Sequence, residues 1–386
     1  MKRFTILAAA ISLLISLALP IAVAAPSLGS KCNREGEVAH MSQLLICAKV
    51  GKVLKYVAAP PDAIGAPSRP SAVVPAKNVD PTVLKAFTSF NHSACTQPHQ
   101  HIVMTYLTSP NYSQNMVDGQ KALLEKAASC YDAYFDRQIN INVVMATEKD
   151  YDFLAAQKTN GQPVFDDIRL RWLKFMTGRI TPVQGKLGGT FAGSAGWNPA
   201  TDSGWLILLD ATANKTPDPH VASHEFVHVL QSFSKSVFFP NYGDGSSEVD
   251  YVNMPPWFWE GTAELFSYDS ISSQPGYLTL YMAETRMQGR QGPNQNKIST
   301  PAALVTTMQE LKSSPNGQSN MLSYALGSQV CEYILATYGY SKYWQIMKNA
   351  GQFKNFDENI KSAIGLTQDE LFLKSAPFVL SQWKLS

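Results

Sequence analysis

The stretch that decides the fold reads His224-Glu225-Phe226-Val227-His228, and a second segment, Trp257-Phe258-Trp259-Glu260-Gly261-Thr262-Ala263-Glu264, follows it. In the first segment the histidines are four residues apart, so a helix presents both imidazoles on one face, with Cβ atoms roughly 5–6 Å apart. Two ring nitrogens at that separation can bind one ion with bonds of about 2.0–2.1 Å, as zinc requires. Glu225 adjoins the first histidine, where a base for a metal-activated water is needed. The segment therefore predicts a zinc-binding helix.

A third histidine, His220, precedes the pair by four residues. A helix rises about 1.5 Å per residue, so His220 and His228 would lie roughly 12 Å apart. That span is too long for one ion with bonds near ~2 Å. We therefore expect His220 to be a first-turn or loop residue outside the metal site, and the third ligand must come from elsewhere.

The second segment offers two carboxylates at helical spacing. Glu260 and Glu264 are four residues apart and share a helix face. One could bind the ion while the other accepts the free N–H of a ligand histidine, a support that ligand histidines usually need. Spacing alone leaves open which carboxylate takes which role. The alternative is a pair of solvated glutamates on an aromatic-flanked helix.

Strand and helix patterns alternate along the middle of the chain and give way to helices beyond Ala302. The predicted elements before the motif are strands at 101–107, 139–146 and 204–209 and helices at 114–135 and 150–157. We predict an α+β fold with an N-terminal mixed sheet and helices, an active-site helix and a mostly helical C-terminal half.

The N-terminus has the layout of an export signal. Met1-Lys2-Arg3 is basic, an apolar run extends to about Leu19, and Ala22-Val23-Ala24 supplies small residues, so we predict a signal peptide at 1–24. An uncleaved membrane anchor is the alternative. We expect a secreted or periplasmic protein without stable membrane association after cleavage. The net charge of +2 is spread along the chain, which does not favour a nucleic-acid partner.

Residues 25–95 differ in composition from the rest. They contain a cysteine-bracketed segment with a helix-like apolar patch at 41–53, then a Pro- and Ala-rich linker at 59–81. We interpret them as a prelude and possible prosegment, and residues 96–386 as the domain that carries the site. In an exported protein, Cys32–Cys47 and Cys95–Cys130 are the natural local disulfides, which leaves Cys331 as a buried thiol.

The two quoted segments resemble those of the gluzincins, zinc metallopeptidases whose third ligand is a glutamate. Their sequence is similar to that of the catalytic region of bacterial collagenases. The shared motifs cover residues 224–231 and 257–266, within a looser resemblance from about residue 99 to the C-terminus. The resemblance implies a zincin-like fold and a zinc metallopeptidase domain at 96–386. It also implies one Zn²⁺ bound by His224, His228 and Glu260, with Glu225 as base and Glu264 supporting a ligand histidine.

Hydrolysis also needs a group that stabilises the oxyanion. No histidine follows His228 in the sequence, so a tyrosine is the candidate. Tyr324, in Ser323-Tyr324-Ala325-Leu326-Gly327, resembles the Tyr-x-x-Gly element that supplies this residue in gluzincin aminopeptidases. The rival tyrosines are Tyr333, Tyr338, Tyr340 and Tyr343.

Departures from these families narrow the expected activity. The chain has no Gly-Ala-Met-Glu-Asn element, which favours an endopeptidase over an aminopeptidase, and the expected prelude is too short for the activator region of collagenases. We expect peptide or protein substrates. The glycine-rich segment 188–196 and the strand 205–209 are the candidates for the sheet edge along which the substrate lies. The alternatives are an aminopeptidase, or a non-catalytic exported binding or assembly protein on a peptidase fold.

Overall fold

A computed structural model of the chain describes residues 31, 38–40, 44–50, 52–58, 80–90, 94–159, 161–165, 170, 173–174, 177, 191–198, 201–210, 217, 220–233, 254–270, 278, 281–282, 285, 298, 300–312 and 321–384. The predicted signal peptide at 1–24 and most of the linker at 59–81 lie outside these ranges. Among the described helices, none combines the length and hydropathy needed to cross a bilayer.

A small antiparallel sheet precedes the linker. It contains β1 (Val38–His40), β2 (Leu44–Val50) and β3 (Val53–Ala58), in the order β1-β2-β3. Val50 pairs with Val53, so two residues connect β2 to β3. The helix-like patch predicted at 41–53 is therefore wrong. Its apolar run is short enough to be a strand, and it folds back as a hairpin instead of continuing as a helix.

Helix α1 (Pro81–Thr88) is the first element of the main core. The side chain of Asp80 accepts a hydrogen bond from the backbone N–H of Thr82 and caps the helix, and its other carboxylate oxygen accepts one from Gln382 near the C-terminus. Val83, Ala86 and Phe87 are buried in the main hydrophobic cluster. Packing thus begins before residue 96, and a prosegment role for the residues upstream stays a prediction.

The main sheet has four strands in the order β4-β5-β9-β8. Its strands are β4 (Ile102–Thr108), β5 (Ile139–Thr147), β8 (Phe191–Asn198) and β9 (Ser203–Asp210). Helices α2 (Gln114–Tyr131) and α3 (Tyr151–Ala155) lie between these strands in the chain, and the short β6 (Lys158–Thr159) and β7 (Gln162–Pro163) form a separate two-stranded hairpin. Strands β4, β5 and β9 are parallel, and β8 is antiparallel to β9. The described sheet is therefore mixed, with β8 at one edge.

This strand order corrects one prediction about substrate binding. Residues 205–209 belong to β9, which pairs with β5 on one side and β8 on the other, so they cannot offer a free edge. Every residue of β9 is buried, as expected for a strand inside a largely parallel sheet. Of the glycine-rich segment 188–196, residues 191–196 lie on edge strand β8, and 188–190 lie outside the described residues.

The elements with described bounds in the rest of the chain are helices. They are α4 (Val221–Phe233), α5 (Pro256–Ser270), α6 (Pro301–Glu310), α7 (Met321–Tyr338), α8 (Tyr340–Lys348), α9 (Phe356–Ile364) and α10 (Gln368–Lys384). The prediction of an α+β protein with an N-terminal mixed sheet and a mostly helical C-terminal half is confirmed.

Two of the cysteine predictions are also confirmed. A disulfide joins Cys95, just before β4, to Cys130 at the end of α2. Cys331 is a buried thiol in α7, and burial raises its pKa to about 12. Cys32 lies outside the described residues, so its pairing with Cys47 stays a prediction.

Candidate metal centre

Helix α4 is buried on all sides, although its sequence is rich in polar residues. Every residue from Ala222 to Ser232 is buried, including His224, Glu225 and His228, which are 6%, 8% and 5% exposed. Phe226, Val227 and Leu230 explain why the helix packs in the core. Buried polar groups need partners, so the histidines and glutamate of this helix must be matched by groups on neighbouring elements.

The matching groups come from α5 and form a compact set of three ligand atoms. The Nε2 atoms of His224 and His228 are 3.1 Å apart. Oε2 of Glu260 lies 3.4 Å from Nε2 of His224 and 3.3 Å from Nε2 of His228. The structure therefore brings the predicted ligand residues together in a group close enough to hold a metal ion.

The spacing of these atoms fits an ion with tetrahedral coordination. Bonds of about 2.0–2.1 Å at tetrahedral angles place ligand atoms about 3.3–3.4 Å apart, close to the three observed separations. Oε2 of Glu260 is buried and makes no hydrogen bond of normal geometry with the described residues. Two imidazole nitrogens and a carboxylate are also a donor set that zinc accepts in proteins. The residues present thus fit the predicted ion.

The charges at the centre follow from the same arrangement. Burial raises the pKa of Glu260, but the facing His228 and His224 outweigh this effect and lower it to about 2. Burial lowers the pKa of His228, yet the neighbouring charges of Glu260 and Glu225 raise it overall. The carboxylate of Glu260 thus stays ionised beside the two imidazoles.

Gln231 fixes the orientation of His228. Its Nε2 donates a hydrogen bond to the backbone carbonyl of Trp259, at 2.9 Å, so its Oε1 is left to accept from Nδ1 of His228, at 2.7 Å. The proton on Nδ1 leaves the Nε2 lone pair directed toward His224 and Glu260. The indole of Trp259 also stacks on the His228 ring, with centroids 4.5 Å apart and planes 11° apart.

Glu264 faces the ring of His224 on the side away from Glu260, and its role as a supporting carboxylate stays a prediction. Its Oε1 is 3.8 Å from Nδ1 of His224, and its side chain is 2% exposed. His220 lies in the turn directly before α4, as predicted, and it is not part of the group formed by His224, His228 and Glu260. The expectation that it lies outside the site is wrong. Nε2 of His220 lies 3.0 Å from Oε2 of Glu264, and the His220 ring packs edge-on against His224. The distance argument excluded His220 from an ion shared with His228, but not from contact with the residue one turn away.

Glu225 lies against the edge strand of the sheet. A Cβ atom on Gly193 of β8 would lie 2.5 Å from Cγ and Oε1 of Glu225, so any larger residue there would push the Glu225 side chain out of its present position. The charge of Glu225 also acts on His228, whose pKa it raises. The side chain of Glu225 therefore extends from α4 toward β8.

Tyr324 is the tyrosine that reaches the centre from α7. Its half-buried ring stacks on His224, with centroids 5.8 Å apart and planes 18° apart. It lies there because α7 crosses α5 at backbone contact: a Cβ on Gly327 would be 2.1 Å from the carbonyl oxygen of Trp257, and one on Gly261 would be 2.2 Å from the carbonyl carbon of Gly327. The Tyr-x-x-Gly spacing thus places the ring one turn from the crossing point.

The four rival tyrosines have other surroundings. Tyr343 is fully buried, where its hydroxyl is 2.6 Å from that of Thr262. The remaining rings pack on the C-terminal helices: Tyr333 against Phe378, Tyr340 against Trp344, and Tyr338 against the main core. Tyr324 is accordingly the candidate that the geometry favours.

Sequence reasoning missed the contacts that three residues make at the centre. Gln231 could have been found, because it follows His228 by three residues and so shares its helix face. His220 needed the position of α5. Gly193 lies within the predicted substrate-lining segment 188–196, but its contact with Glu225 could not be predicted, because it depends on which strand packs beside α4.

Comparisons of the chain with protein-family models, with curated proteins and with solved structures found no match.

Proposed function

We propose that this protein is an exported zinc-dependent metallopeptidase of the gluzincin type, with a zincin-like fold, that hydrolyses internal bonds of peptide or protein substrates. One observation carries the proposal: Nε2 of His224, Nε2 of His228 and Oε2 of Glu260 face one another at 3.1–3.4 Å. The motif resemblance agrees with this geometry and assigns the same three residues as ligands.

Each group at the centre has a task that its surroundings support. A zinc ion, when bound, polarises a carbonyl oxygen and lowers the pKa of a coordinated water toward ~7. Glu225 accepts the proton of the attacking water and later delivers it to the leaving amine. The hydroxyl of Tyr324 donates a hydrogen bond to the oxyanion. Gln231 and Glu264 keep the two histidine rings in their binding orientation.

The position of Glu225 supports a peptide substrate. Its side chain packs on Gly193 of edge strand β8. An extended peptide can add to such an edge through backbone hydrogen bonds, which would carry the scissile bond past the base and the ligand helix. A peptide that runs along the edge can continue in both directions, and this favours endopeptidase over aminopeptidase activity.

Digestion of casein and of a peptide library, with and without a chelator, tests the proposal. We expect cleavage that the chelator abolishes and that added zinc restores, with internal fragments among the products. Cleavage that is insensitive to chelator would overturn the metallopeptidase assignment. Release of single N-terminal residues, measured with amino-acid amides, would instead support an aminopeptidase. Zinc binding without any cleavage would favour the non-catalytic alternative.

A further inference from the structure

One carboxylate connects two histidines behind the centre. Oε2 of Glu264 lies 3.0 Å from Nε2 of His220, while Oε1 of the same group lies 3.8 Å from Nδ1 of His224. The side chain of Glu264 is 2% exposed and that of His220 is 16% exposed, so water hardly competes for either group. An ionised carboxylate is an acceptor only, so a neutral His220 must carry its proton on Nε2 to bind it.

The His220 ring is held in place by its neighbours. It stacks on Tyr268 of α5, with centroids 4.8 Å apart and planes 30° apart, and it packs edge-on against His224 at 5.2 Å. The backbone carbonyl of His220 also accepts a hydrogen bond from the N–H of His224, at 2.9 Å, so the two residues keep a one-turn spacing. The ring thus has a defined direction relative to both Glu264 and His224.

We infer that His220 is a positioning residue for the metal centre, which holds the Glu264 carboxylate so that its other oxygen faces Nδ1 of His224. This inference rests on the proposed function. Without the close contact to His220, rotation of the carboxylate would carry Oε1 away from Nδ1 of His224. The proton could then move to Nε2 and occupy the position that the ion needs. His220 acts through Glu264 and need not touch the ion.

The same atoms permit a competing arrangement. His220, His224 and Glu264 also form a group whose ligand atoms lie within 4.8 Å of one another. A second ion there would require Nδ1 of His224 to lose its proton while Nε2 binds the first ion, and the contact between His220 and Glu264 needs no such step. The stoichiometry of zinc binding separates the two arrangements.

The test measures zinc affinity of the full chain by competition with a chromophoric chelator. We expect His220→Ala to weaken zinc binding by about 10–100-fold, the usual loss when the support of a ligand histidine is removed. His220→Gln should keep most of the affinity, because its amide can donate to Glu264 although it lacks the ring that stacks on Tyr268. His99→Ala is the matched control, since His99 also pairs with a glutamate, Glu125, at 2.6 Å.

A double-mutant cycle shows whether His220 acts through Glu264. In a Glu264→Gln background, His220→Ala should cause no further loss of affinity. An equal loss in both backgrounds, or wild-type affinity in His220→Ala, would overturn the inference. So would a drop from two bound zinc ions to one in His220→Ala. Circular dichroism and thermal melting of the metal-free variants check folding, and His220→Gln keeps the test decisive if His220→Ala does not fold. A wild-type chain that binds no zinc would refute the proposed function itself.

Discussion

The side chain of Gln231 makes two hydrogen bonds at once, to Nδ1 of His228 at 2.7 Å and to the backbone carbonyl of Trp259 at 2.9 Å. Gln231 therefore links α4, which carries the two histidines, to α5, which carries Glu260. Replacing Gln231 with alanine leaves a buried carbonyl and a ligand ring without these partners. We expect zinc affinity to fall by about 10–100-fold and the free energy of unfolding to fall by about 1–3 kcal/mol.

Chelator competition and denaturant unfolding measure these two effects. Gln157→Ala is the matched control, because Gln157 also donates to a backbone carbonyl, that of Phe153 at 2.7 Å, on a separate helix. Its zinc affinity should equal that of the wild type. Unchanged affinity in Gln231→Ala would show that His228 is oriented by other contacts.

Glu225→Gln separates binding from catalysis. The amide keeps the shape that packs against Gly193 but cannot accept a proton. We expect zinc binding to persist and kcat to fall by a factor of at least about 10², the lower range for loss of a general base. Peptide hydrolysis and zinc content of the same preparation provide the measurement. A fully active variant would rule out Glu225 as the base.

Glu260→Ala should instead remove the metal. The carboxylate faces both ligand histidines, and its loss leaves two nitrogens to hold the ion. We expect zinc content after dialysis to fall well below one ion per chain, with activity lost in parallel. Glu125→Ala, which removes a surface glutamate paired with His99, is the control and should keep its zinc. Full occupancy in Glu260→Ala would move the third ligand elsewhere.

The two pairs of candidate ligands could be predicted from the sequence because four-residue spacing in a helix is a local property, although spacing alone did not decide which glutamate faces the histidines. Both the histidine pair and the glutamate pair depend only on helical geometry, and both lie on helices. The partners of Glu264 could not be predicted the same way, because they depend on how α5 crosses α4. The prediction that residues 205–209 form an edge of the sheet was wrong for a related reason. Strand order is a tertiary property, although the unbroken apolar run of β9 was a signal of a central strand.

Gly327→Ala tests whether the helix crossing positions Tyr324. The added methyl group would lie 2.1 Å from the carbonyl oxygen of Trp257, and backbone cannot yield as a flexible side chain can. We expect α7 to shift, Tyr324 to lose its stacking on His224, and stability to fall by about 1–3 kcal/mol. Hydrolysis should fall more than zinc affinity, because the ligands lie on α4 and α5.

Gly339→Ala is the control for stability alone. Gly339 has φ +83°, and a Cβ there would meet no atom within 4 Å, so alanine strains the backbone without touching the crossing. Its unfolding free energy should fall while kcat stays at the wild-type value. Equal activity losses in the two variants would show that Gly327 acts only through stability.

A buried carboxylate at the ends of two parallel strands predicts a pH-dependent stability. Asp150 is 4% exposed and accepts hydrogen bonds from Oγ of Ser109 at 2.6 Å, Nδ2 of Asn111 at 2.6 Å, and both the N–H and hydroxyl of Thr147 at 2.7 and 2.6 Å. Burial raises the pKa of Asp150, but these bonds outweigh it and lower the pKa below its ordinary value.

Because the folded pKa is lower than the unfolded value of about 3.9, this contribution is present above that pH and is lost as pH falls through the folded pKa. Asp150→Asn should therefore lower the free energy of unfolding by about 1.5–3 kcal/mol at neutral pH and by less under acid conditions. Denaturant unfolding of both chains at pH 7 and at pH 3 measures the difference. Asp118→Asn, at an exposed position bonded to Gln114, should show little change at either pH. A destabilisation in Asp150→Asn that is equal at the two pH values would mean that the charge of Asp150 does not hold these strand ends together.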